Sequence, residues 1–417
     1  MVPGGPGRIG WDMKRRTFLI SAGAFLAAGR GRASPPPATS TPAIPIGLLL
    51  PLSGPDADWG AGLRDTALMA VDEVNRSGRR HRLAVRVLDG AGDRRAFCRA
   101  LDQLTGEART ASIFGLCPAD LRSDMLRLVE ERQSLFWDPA PTPGGECSGY
   151  VIHGGPTPQQ SLKNLIPWLA EQVGNRFLLV GTDLPWPAEL VRVAREMAEE
   201  IHAELVAPPR LLPPGHSDFS AELEPARRGD ADVLLAALTG PSLAAFLRQY
   251  HAAGIDPLAC PVASPTVTER EVAAAGPTVA AGAIAAAPYF ADWQSPANRL
   301  FLQRLRRFTP RHCIPNAPAE AIWTQIHLFA AALDRLGSAD VTPLTVREAA
   351  RDCQVSAPEG IVRIDGATLH SLLWPKIAVV EPSGWFRVLE RTVAPVPPLP
   401  FWAWPGKSCS PAGLVMR

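Results

Sequence analysis

The sequence has almost no net charge and no long hydrophobic run. Its 417 residues include 42 Lys and Arg against 41 Asp and Glu, which gives a formal net charge of +1. So little positive charge offers no whole-protein signal for binding nucleic acid. No apolar run approaches the roughly 20 residues that span a membrane, so we expect a protein that is not integral to the membrane. Hydrophobic residues still make up 46% of the chain, enough for the cores of two or three domains.

The sequence also lacks the motifs of metal sites and of common enzymes. Its seven cysteines form no Cys-x-x-Cys pair, and no histidine lies at metal-ligand spacing from one, which argues against zinc. Neither a Gly-x-Ser-x-Gly elbow nor a phosphate-binding Gly-x-x-x-x-Gly-Lys loop is present. His216, Ser217 and Asp218 are the residue types of a hydrolase triad, but adjacent residues cannot adopt its geometry. We therefore expect a protein that is not an enzyme and uses no metal and no cofactor.

Residues 1–33 carry the pattern of an export signal. Positive charge comes first, the apolar stretch 17–28 follows and is too short to span a bilayer, and small residues end the segment. Arg15 and Arg16 resemble the core of a twin-arginine signal, and Met13 is the expected start of the precursor. The alternative is a buried N-terminal helix with a chance arginine pair. The pattern favours export and hence a periplasmic location.

Behind this signal we expect a linker over residues 34–43, because several of them are Pro, Ser or Thr. Removing the six basic residues and the one acidic residue of the signal leaves 36 basic and 40 acidic residues, a formal charge of −4 for the mature chain. The cysteines of an exported protein can form disulfide bonds. Twin-arginine cargo folds before export, however, so its thiols can also stay reduced.

Strand-like and helix-like segments alternate along most of the chain. The apolar run 44–50 predicts a buried strand, and apolar residues at helical spacing from Leu63 to Val74 predict the helix that follows. The alternation continues to Trp137 and begins again after the Gly-Gly-Pro of residues 154–156. Strands that alternate with helices predict parallel sheets covered on both faces, so we expect an α/β fold with two Rossmann-like lobes.

Several segments together resemble type I periplasmic binding proteins of the amino acid and amide ABC-transporter family. Residues 46–54, Trp59 and residues 71–75 resemble that family's first strand, loop and helix, and residues 217–223 resemble its second-lobe signature. The resemblance runs from about residue 44 to about residue 389. The subgroup that binds short-chain amides and urea is matched at residues 154–160, 181–187, 263–269, 287–290 and 357–360.

This resemblance implies two lobes with parallel sheets, joined by a three-segment hinge with crossovers near Gly155, Ala287 and Gly360. A ligand would lie in the cleft between the lobes, since open α/β sheets bind ligands beyond the carboxyl ends of their strands. Closure around the ligand would be a hinge motion. The expected segments are 44–155 plus 287–355 for lobe 1, 156–286 plus 356–392 for lobe 2, and 393–417 for a Pro- and Trp-rich C-terminal tail.

The resemblance also implies which loops meet the ligand. Cys117 and Ala119 stand where the amide binders supply a Tyr and a Ser, and Ala140 stands where they have a Thr. Leu184 and Trp186 stand in place of two tyrosines of the same subgroup. The predicted ligand-binding residues are Trp59, Cys117, Ala119, Trp137, Asp138, Ala140, Leu184, Trp186, Thr239 and Thr266.

We expect an aromatic pocket with few hydroxyl groups. Trp59, Trp137 and Trp186 would form its walls, although each could instead belong to a core. A free amino acid needs an acidic partner for its ammonium group, and residues 264–266, where amino acid binders place that acid, contain none. This favours a neutral amide-like ligand, although acids elsewhere, such as Asp138, could face the cleft. The lost hydroxyls also permit a ligand of another class.

The expected function is that of an extracytoplasmic receptor of an ABC importer. It would bind a small amide-, urea- or amino-acid-like molecule by lobe closure and present the closed form to a membrane permease. One rival is a ligand-sensing regulatory protein of the amide-sensor type, which acts through protein contact. Such a sensor would be cytoplasmic, and the Arg15–Arg16 pair argues against that location. An enzyme is the other rival, and it lacks an identifiable nucleophile and base.

Overall fold

The computed structural model describes residues 43–400 except 92, 108–109, 119–120, 147, 310–313 and 338, together with the backbone of residues 407–410 and 413–416. The expected export signal and almost all of the expected linker lie outside these residues. Along the described part of the chain, strands and helices alternate as the sequence predicts. No helix in that part is long and apolar enough to cross a membrane.

The described chain contains strands and helices with the following bounds. The strands are β1 (Ile44–Leu50), β2 (Leu83–Asp89), β3 (Ser112–Gly115), β4 (Phe136–Asp138), β5 (Val151–His153), β6 (Arg176–Thr182), β7 (Glu204–Leu205), β8 (Arg210–Leu212), β9 (Val233–Ala237), β10 (Val262–Ser264), β11 (Ile284–Ala287), β12 (Gln354–Ser356), β13 (Ile361–Ile364), β14 (Ser371–Leu372), β15 (Lys376–Val380), β16 (Phe386–Arg391), β17 (Lys407–Ser410) and β18 (Gly413–Met416). The α-helices are α1 (Ala57–Arg76), α2 (Arg94–Asp102), α3 (Arg122–Glu131), α4 (Pro158–Leu162), α5 (Leu165–Gln172), α6 (Pro185–Glu200), α7 (Ser220–Arg227), α8 (Gly240–Ala252), α9 (Glu269–Ala275), α10 (Pro277–Ala280), α11 (Pro296–Phe308), α12 (Ala317–Leu336) and α13 (Pro343–Ala350). A short 3-10 helix (Gly54–Asp56) precedes α1, and a π-helical turn (Gln103–Glu107) follows α2.

The first lobe is built on a five-stranded parallel sheet with the strand order β2-β1-β3-β4-β5. Both faces of this sheet are apolar, and successive side chains along a strand point to opposite faces. On β1, Leu48 packs in a core cluster with α1 and α12, whereas Leu49 packs in a second cluster with α2 and α3. Helices therefore cover both faces, as a buried parallel sheet requires.

The second lobe is built on an eight-stranded sheet with the order β16-β15-β11-β10-β9-β6-β7, in which β8 also pairs with β6. Strands β6 to β11 are parallel, and β15 and β16 add an antiparallel edge. This sheet also has two apolar faces: Leu178 and Leu234 belong to one core cluster, and Phe177 and Val233 to another. The register of β6 on β9 pairs these residues side by side.

The third crossover comes later than the position expected near Gly360. Strands β12, β13 and β14 form a small antiparallel sheet of their own, and Ile364 and Leu373 join the core of the first lobe. A bridge between His153 and His370 connects this segment to the edge of the first sheet. The local pattern shows that a strand is present, but the lobe that it joins depends on contacts with residues far away in the sequence.

Candidate ligand-binding cleft

A cavity of about 230 Å³ lies between the two lobes. The loops after β4, β9 and β10 reach its wall, together with the first turns of α1 and α6. This is the position beyond the carboxyl ends of parallel strands where open α/β sheets bind their ligands. Pockets for drug-sized molecules have volumes of roughly 300–1,000 Å³, so this cavity suits one smaller molecule.

Half of the ten predicted site residues line this cavity. Trp59 lies on the first turn of α1 in lobe 1, and Trp186 lies on the first turn of α6 in lobe 2, so each lobe supplies one tryptophan to the wall. Proline and alanine side chains form much of the remaining wall. The predicted residues that line the cavity are Trp59, Ala140, Trp186, Thr239 and Thr266.

Trp137 lies in the core of the first lobe and not in the cavity wall, which corrects its predicted place. Its side chain is 0% exposed, stacks on Phe114 with ring centroids 5.4 Å apart and meets the edge of Phe329 at 6.1 Å. The register of β3 and β4 places Phe114 beside Trp137 on the sheet face that α12 covers. Because side chains alternate between the two faces of the sheet along β4, that of Trp137 points to the face covered by α12.

Asp138 is also fully buried and does not line the cavity. Its carboxylate forms an ion pair with Arg122 at 2.6 Å and accepts a hydrogen bond from the backbone N–H of Ala140 at 3.0 Å. Arg122 forms a second ion pair with Glu146 at 2.5 Å, and these two carboxylates raise the pKa of its guanidinium despite burial. Asp138 therefore shapes the loop that carries Ala140 and does not provide a free charge to a ligand.

The remaining predicted site residues do not reach the cavity or are not described. Leu184 precedes α6 and is half-buried outside the cavity wall, although Trp186 two residues later lines it. Cys117 is half-buried, and its thiol donates to the carbonyl of Pro118 at 3.3 Å. Ala119 lies outside the described residues.

The outer end of the cavity is crossed by one arginine. Arg270 of α9 lies over the ring of Trp59, 5.1 Å from its centroid, and forms an ion pair with Asp56 at 2.5 Å. Because Asp56 and Trp59 belong to lobe 1 and Arg270 to lobe 2, these contacts join the lobes across the cleft. Arg270 and Asn316 line both the cavity and a wider groove outside it, so they lie at its mouth.

Residues 44–405 match the family model described as a periplasmic binding protein domain. The chain belongs to this family. One similar solved structure is a solute-binding protein of an ABC transporter from R. palustris in complex with 4-hydroxybenzoate, at 18% identity and a TM-score of 0.76, covering 87% of this chain and 100% of that chain. Another is an amino acid ABC transporter substrate-binding protein from Pseudomonas fluorescens Pf-5, at 17% identity and a TM-score of 0.72, covering 85% and 97%. A leucine-binding protein from Thermotoga maritima MSB8 has 16% identity and a TM-score of 0.70, covering 84% and 98%.

Membership of the periplasmic binding protein family confirms the predicted fold class and the general function. Members of this family are periplasmic binding proteins and not enzymes, and the family implies a periplasmic location. Among the described residues, no group of His, Cys, Asp and Glu side chains could hold a metal ion. Of the described cysteines, Cys98, Cys260 and Cys353 form no disulfide bond.

The inner end of the cavity lies at the hinge of this binding protein and holds two carboxyl groups. Glu320 lies on the first turn of α12, and Glu359 lies in the turn between β12 and β13; both line the cavity. Next to them, the ammonium group of Lys376 donates to the carbonyl oxygens of Pro288 at 2.6 Å, Trp374 at 2.8 Å and Glu359 at 3.2 Å. Lys376 therefore ties the second crossover to the third.

Burial controls the charge states at this inner end. Burial raises the pKa of Glu320 well above its ordinary value, and the neighbouring Glu359 carboxylate raises it further. Burial also raises the pKa of Glu359, although the charge of Lys376 opposes the rise. Burial lowers the pKa of Lys376 to about 8, and the two carboxylates limit that fall. Both carboxyl pKa values are raised, which favours the protonated form, so the pair tends to retain a proton.

Sequence reasoning missed the charged and polar residues at both ends of the cavity. Glu359 lies in the segment 357–360 that resembles the amide binders, yet that segment reads as a hinge turn. Asn316 has the signal of a helix start, and it does cap α12 by accepting from the N–H of Ala319. Glu320 is an acid among the mostly apolar residues at the start of a helix, a pattern that does not show whether it faces a core or a cavity.

Proposed function

We propose that this protein is the periplasmic receptor of an ABC importer for a small organic molecule with an apolar body and at least one polar group. The candidate ligands are amides, ureas, amino acids and aromatic acids. The observation that carries the proposal is the small cavity between the lobes, to which each lobe contributes one tryptophan. A molecule held there touches both lobes, so its binding free energy favours the closed form.

The walls of the cavity support an apolar ligand body. Trp59 and Trp186 are joined by prolines from both lobes, including Pro141 and Pro265. Proline side chains and the faces of aromatic rings favour shape and hydrophobic contact over polar recognition. The indole N–H of Trp59 is a buried donor without a partner among the described residues. The hydroxyl of Thr266 already donates to the carbonyl of Leu238 at 2.6 Å, which leaves few free hydroxyl groups in the wall.

The polar groups at the two ends favour a ligand with a polar end group. Arg270 at the mouth could receive a carboxylate, as in the aromatic acids and amino acids that the similar proteins bind. The carboxyl groups at the hinge could receive an amide or a urea, the ligand classes that the sequence predicts. We further propose that Arg15 and Arg16 direct export by the twin-arginine route and that a membrane permease receives the closed form.

A thermal-shift comparison of benzoate, benzamide, leucine and urea tests this proposal. A ligand present at 100 times its dissociation constant adds about 2.7 kcal/mol to the free energy of unfolding. We expect at least one of these probes to raise the melting temperature in a saturable way. Trp186→Ala should then weaken binding by about ten-fold or more, because truncating a buried aromatic anchor costs roughly 1–3 kcal/mol.

The matched control is Trp385→Ala, because Trp385 is 46% exposed on the turn between β15 and β16 and lies outside the cavity wall. That variant should bind the same probe with unchanged affinity. If none of the four probes stabilises the protein, the proposed ligand classes are wrong. Equal losses in the two tryptophan variants would contradict the placement of the site in this cleft.

A further inference from the structure

Two buried carboxyl groups form the polar inner end of an otherwise largely apolar cavity. Glu320 is 1% exposed and Glu359 is 5% exposed, and both residues line the cavity. They come from different parts of the fold, since α12 packs in lobe 1 and the turn before β13 belongs to the hinge region. Two acids brought so deep beside an apolar wall carry a desolvation cost, which a ligand that pairs with them would offset.

Each carboxyl group keeps one oxygen without a hydrogen bond from the described residues. For Glu320, Oε1 accepts from the hydroxyl of Thr324 at 3.1 Å and from the N–H of Glu359 at 3.5 Å. For Glu359, Oε2 accepts from the N–H of Trp374 at 3.1 Å. The described protein groups therefore hold the two side chains in place, and each of these cavity-lining residues keeps one carboxyl oxygen as an available acceptor.

The neighbouring lysine does not use that capacity. All three N–H donors of the Lys376 ammonium group are directed to the backbone carbonyl oxygens of Pro288, Trp374 and Glu359. An ammonium group has three donors, so none remains for a carboxylate. Lys376 supplies positive charge nearby, but it leaves both acids available to hydrogen-bond donors from the cavity.

We propose that Glu320 and Glu359 bind an N–H donor group of the ligand and exclude a carboxylate from the inner end of the cleft. The proposal rests on the proposed receptor function, because it assigns a specificity to the same cavity. A primary carboxamide fits this pair: its NH2 group donates to a carboxylate, and its C=O accepts from a protonated carboxyl group. An ammonium group also supplies N–H donors. A carboxylate would instead place further negative charge beside the two acids, and the three donors of Lys376 are already directed to backbone carbonyl oxygens.

The opposite end of the cavity carries a basic residue, Arg270, which pairs with Asp56 and adjoins Glu271 in the wall. Among the described residues of the wall, Arg270 at the mouth is the basic one. A carboxylate on the same ligand would therefore point outward, toward Arg270. The cleft would thus orient a molecule with two polar ends, with its N–H group inside and any carboxylate outside. A carboxylate alone, on a small aromatic ring, would leave the inner acids unpaired.

Isothermal titration calorimetry with benzamide, benzylammonium and benzoate tests this inference on the full-length mature protein. We compare the wild type with Glu320→Gln and Glu359→Gln, which keep the side-chain volume. We expect benzamide or benzylammonium to bind the wild type at least about ten-fold more tightly than benzoate, and each variant to reduce that preference by about ten-fold. The two N–H probes separate a neutral donor from a cationic one.

Glu222→Gln is the control, because Glu222 is a buried glutamate of lobe 2 that pairs with Arg210 and does not line the cavity. It should leave the preference unchanged. An unchanged preference in Glu320→Gln and Glu359→Gln, or a wild-type preference for benzoate, would overturn the inference and leave the receptor function standing. Binding of none of the three probes would overturn the inference, whereas the receptor function would fail only if leucine and urea also gave no thermal shift. If melting curves show that Glu320→Gln does not fold, Glu359→Gln decides the question.

Discussion

The two ends of the cleft join the lobes with opposite kinds of contact. At the mouth, Arg270 and Asp56 are both partly exposed, with 41% and 46% of their side chains accessible. At the hinge, Glu320, Glu359 and Lys376 are buried and share a network of hydrogen bonds. An exposed ion pair is screened by water and breaks easily, whereas a buried charge cannot lose its partners without a large cost. The comparison indicates that the mouth can open while the hinge end keeps its structure.

The hinge end also contains a second buried group of titratable residues. His153 ends β5 just before the first crossover, and its ring stacks on that of His370 with centroids 4.0 Å apart and an interplanar angle of 14°. Both histidines are buried, and burial lowers the pKa of each; that of His370 falls to about 4. The stacked pair is therefore neutral at pH 7, which a close contact between two imidazole rings requires.

Lys376→Met should have the largest effect on stability. The substitution leaves three carbonyl oxygens without their donor and two carboxyl groups without a positive neighbour. We expect the free energy of unfolding to fall by about 3–5 kcal/mol, as for other broken buried charge clusters. Chemical denaturation measures this loss.

Lys163→Met is the control for this substitution, since Lys163 is exposed at the end of α4 and should tolerate the change. Lys376→Arg should also destabilise the protein, because a planar guanidinium cannot direct three donors to the same three carbonyl oxygens. A loss of less than about 1 kcal/mol for Lys376→Met would show that the hinge end is no more rigid than the mouth.

Acidification should have the second-largest effect on the free energy of unfolding, through His370 at the hinge end. The pKa of His370 is lower in the folded state, so the unfolded state takes up the proton first as the pH falls, and stability is lost from about pH 6.5 down to about pH 4. A shift of that size corresponds to about 3 kcal/mol. His370→Asn keeps a donor for the carbonyl of Thr368 but cannot titrate, so it should flatten this part of the curve.

Denaturation curves recorded at several pH values between 4 and 7 measure this effect as the slope of the free energy of unfolding against pH. The wild type should show the steeper positive slope, and the difference between the two proteins isolates the histidine from the carboxyl groups that titrate in the same range. Parallel curves would mean that folding does not lower the pKa of His370.

Arg270→Met should have the smallest effect on stability and should act on the opening of the cleft. The side-chain stem can still cover Trp59, but the ion pair with Asp56 is lost, at a cost of about 0–1 kcal/mol. Without ligand, the lobes should then spend more time apart, which an increase in the distance between fluorophores on the two lobes would report. The matched control is Arg248→Met, because Arg248 is exposed and donates to the carbonyl of Ala274 in the same lobe. Identical distances in both variants would contradict a role for Arg270 in joining the lobes.

The wall of the cleft and its two ends differ in how far the sequence predicts them. Part of the cleft wall is within reach of sequence reasoning: Trp59 and Trp186 follow strands at the start of helices, and the loop residues Thr239 and Thr266 follow β9 and β10. A residue that follows a parallel strand must lie at the carboxyl edge of the sheet, so its approximate place depends only on local pattern. Trp137 shows the limit, because it belongs to the strand itself and the pleat turns it into the core.

The sequence by itself determined the alternation of strands and helices, the two lobes and the edge of the sheets where a ligand could bind. These follow from hydrophobic periodicity and from the direction of parallel strands, both of which are local. Only the tertiary structure brought Glu320, Glu359 and Lys376 together, from positions that the chain separates by a helix, a small sheet and a crossover. No local sequence pattern predicts these contacts, because the packing of the crossovers, and not the neighbouring residues in the sequence, determines which groups surround a buried charge.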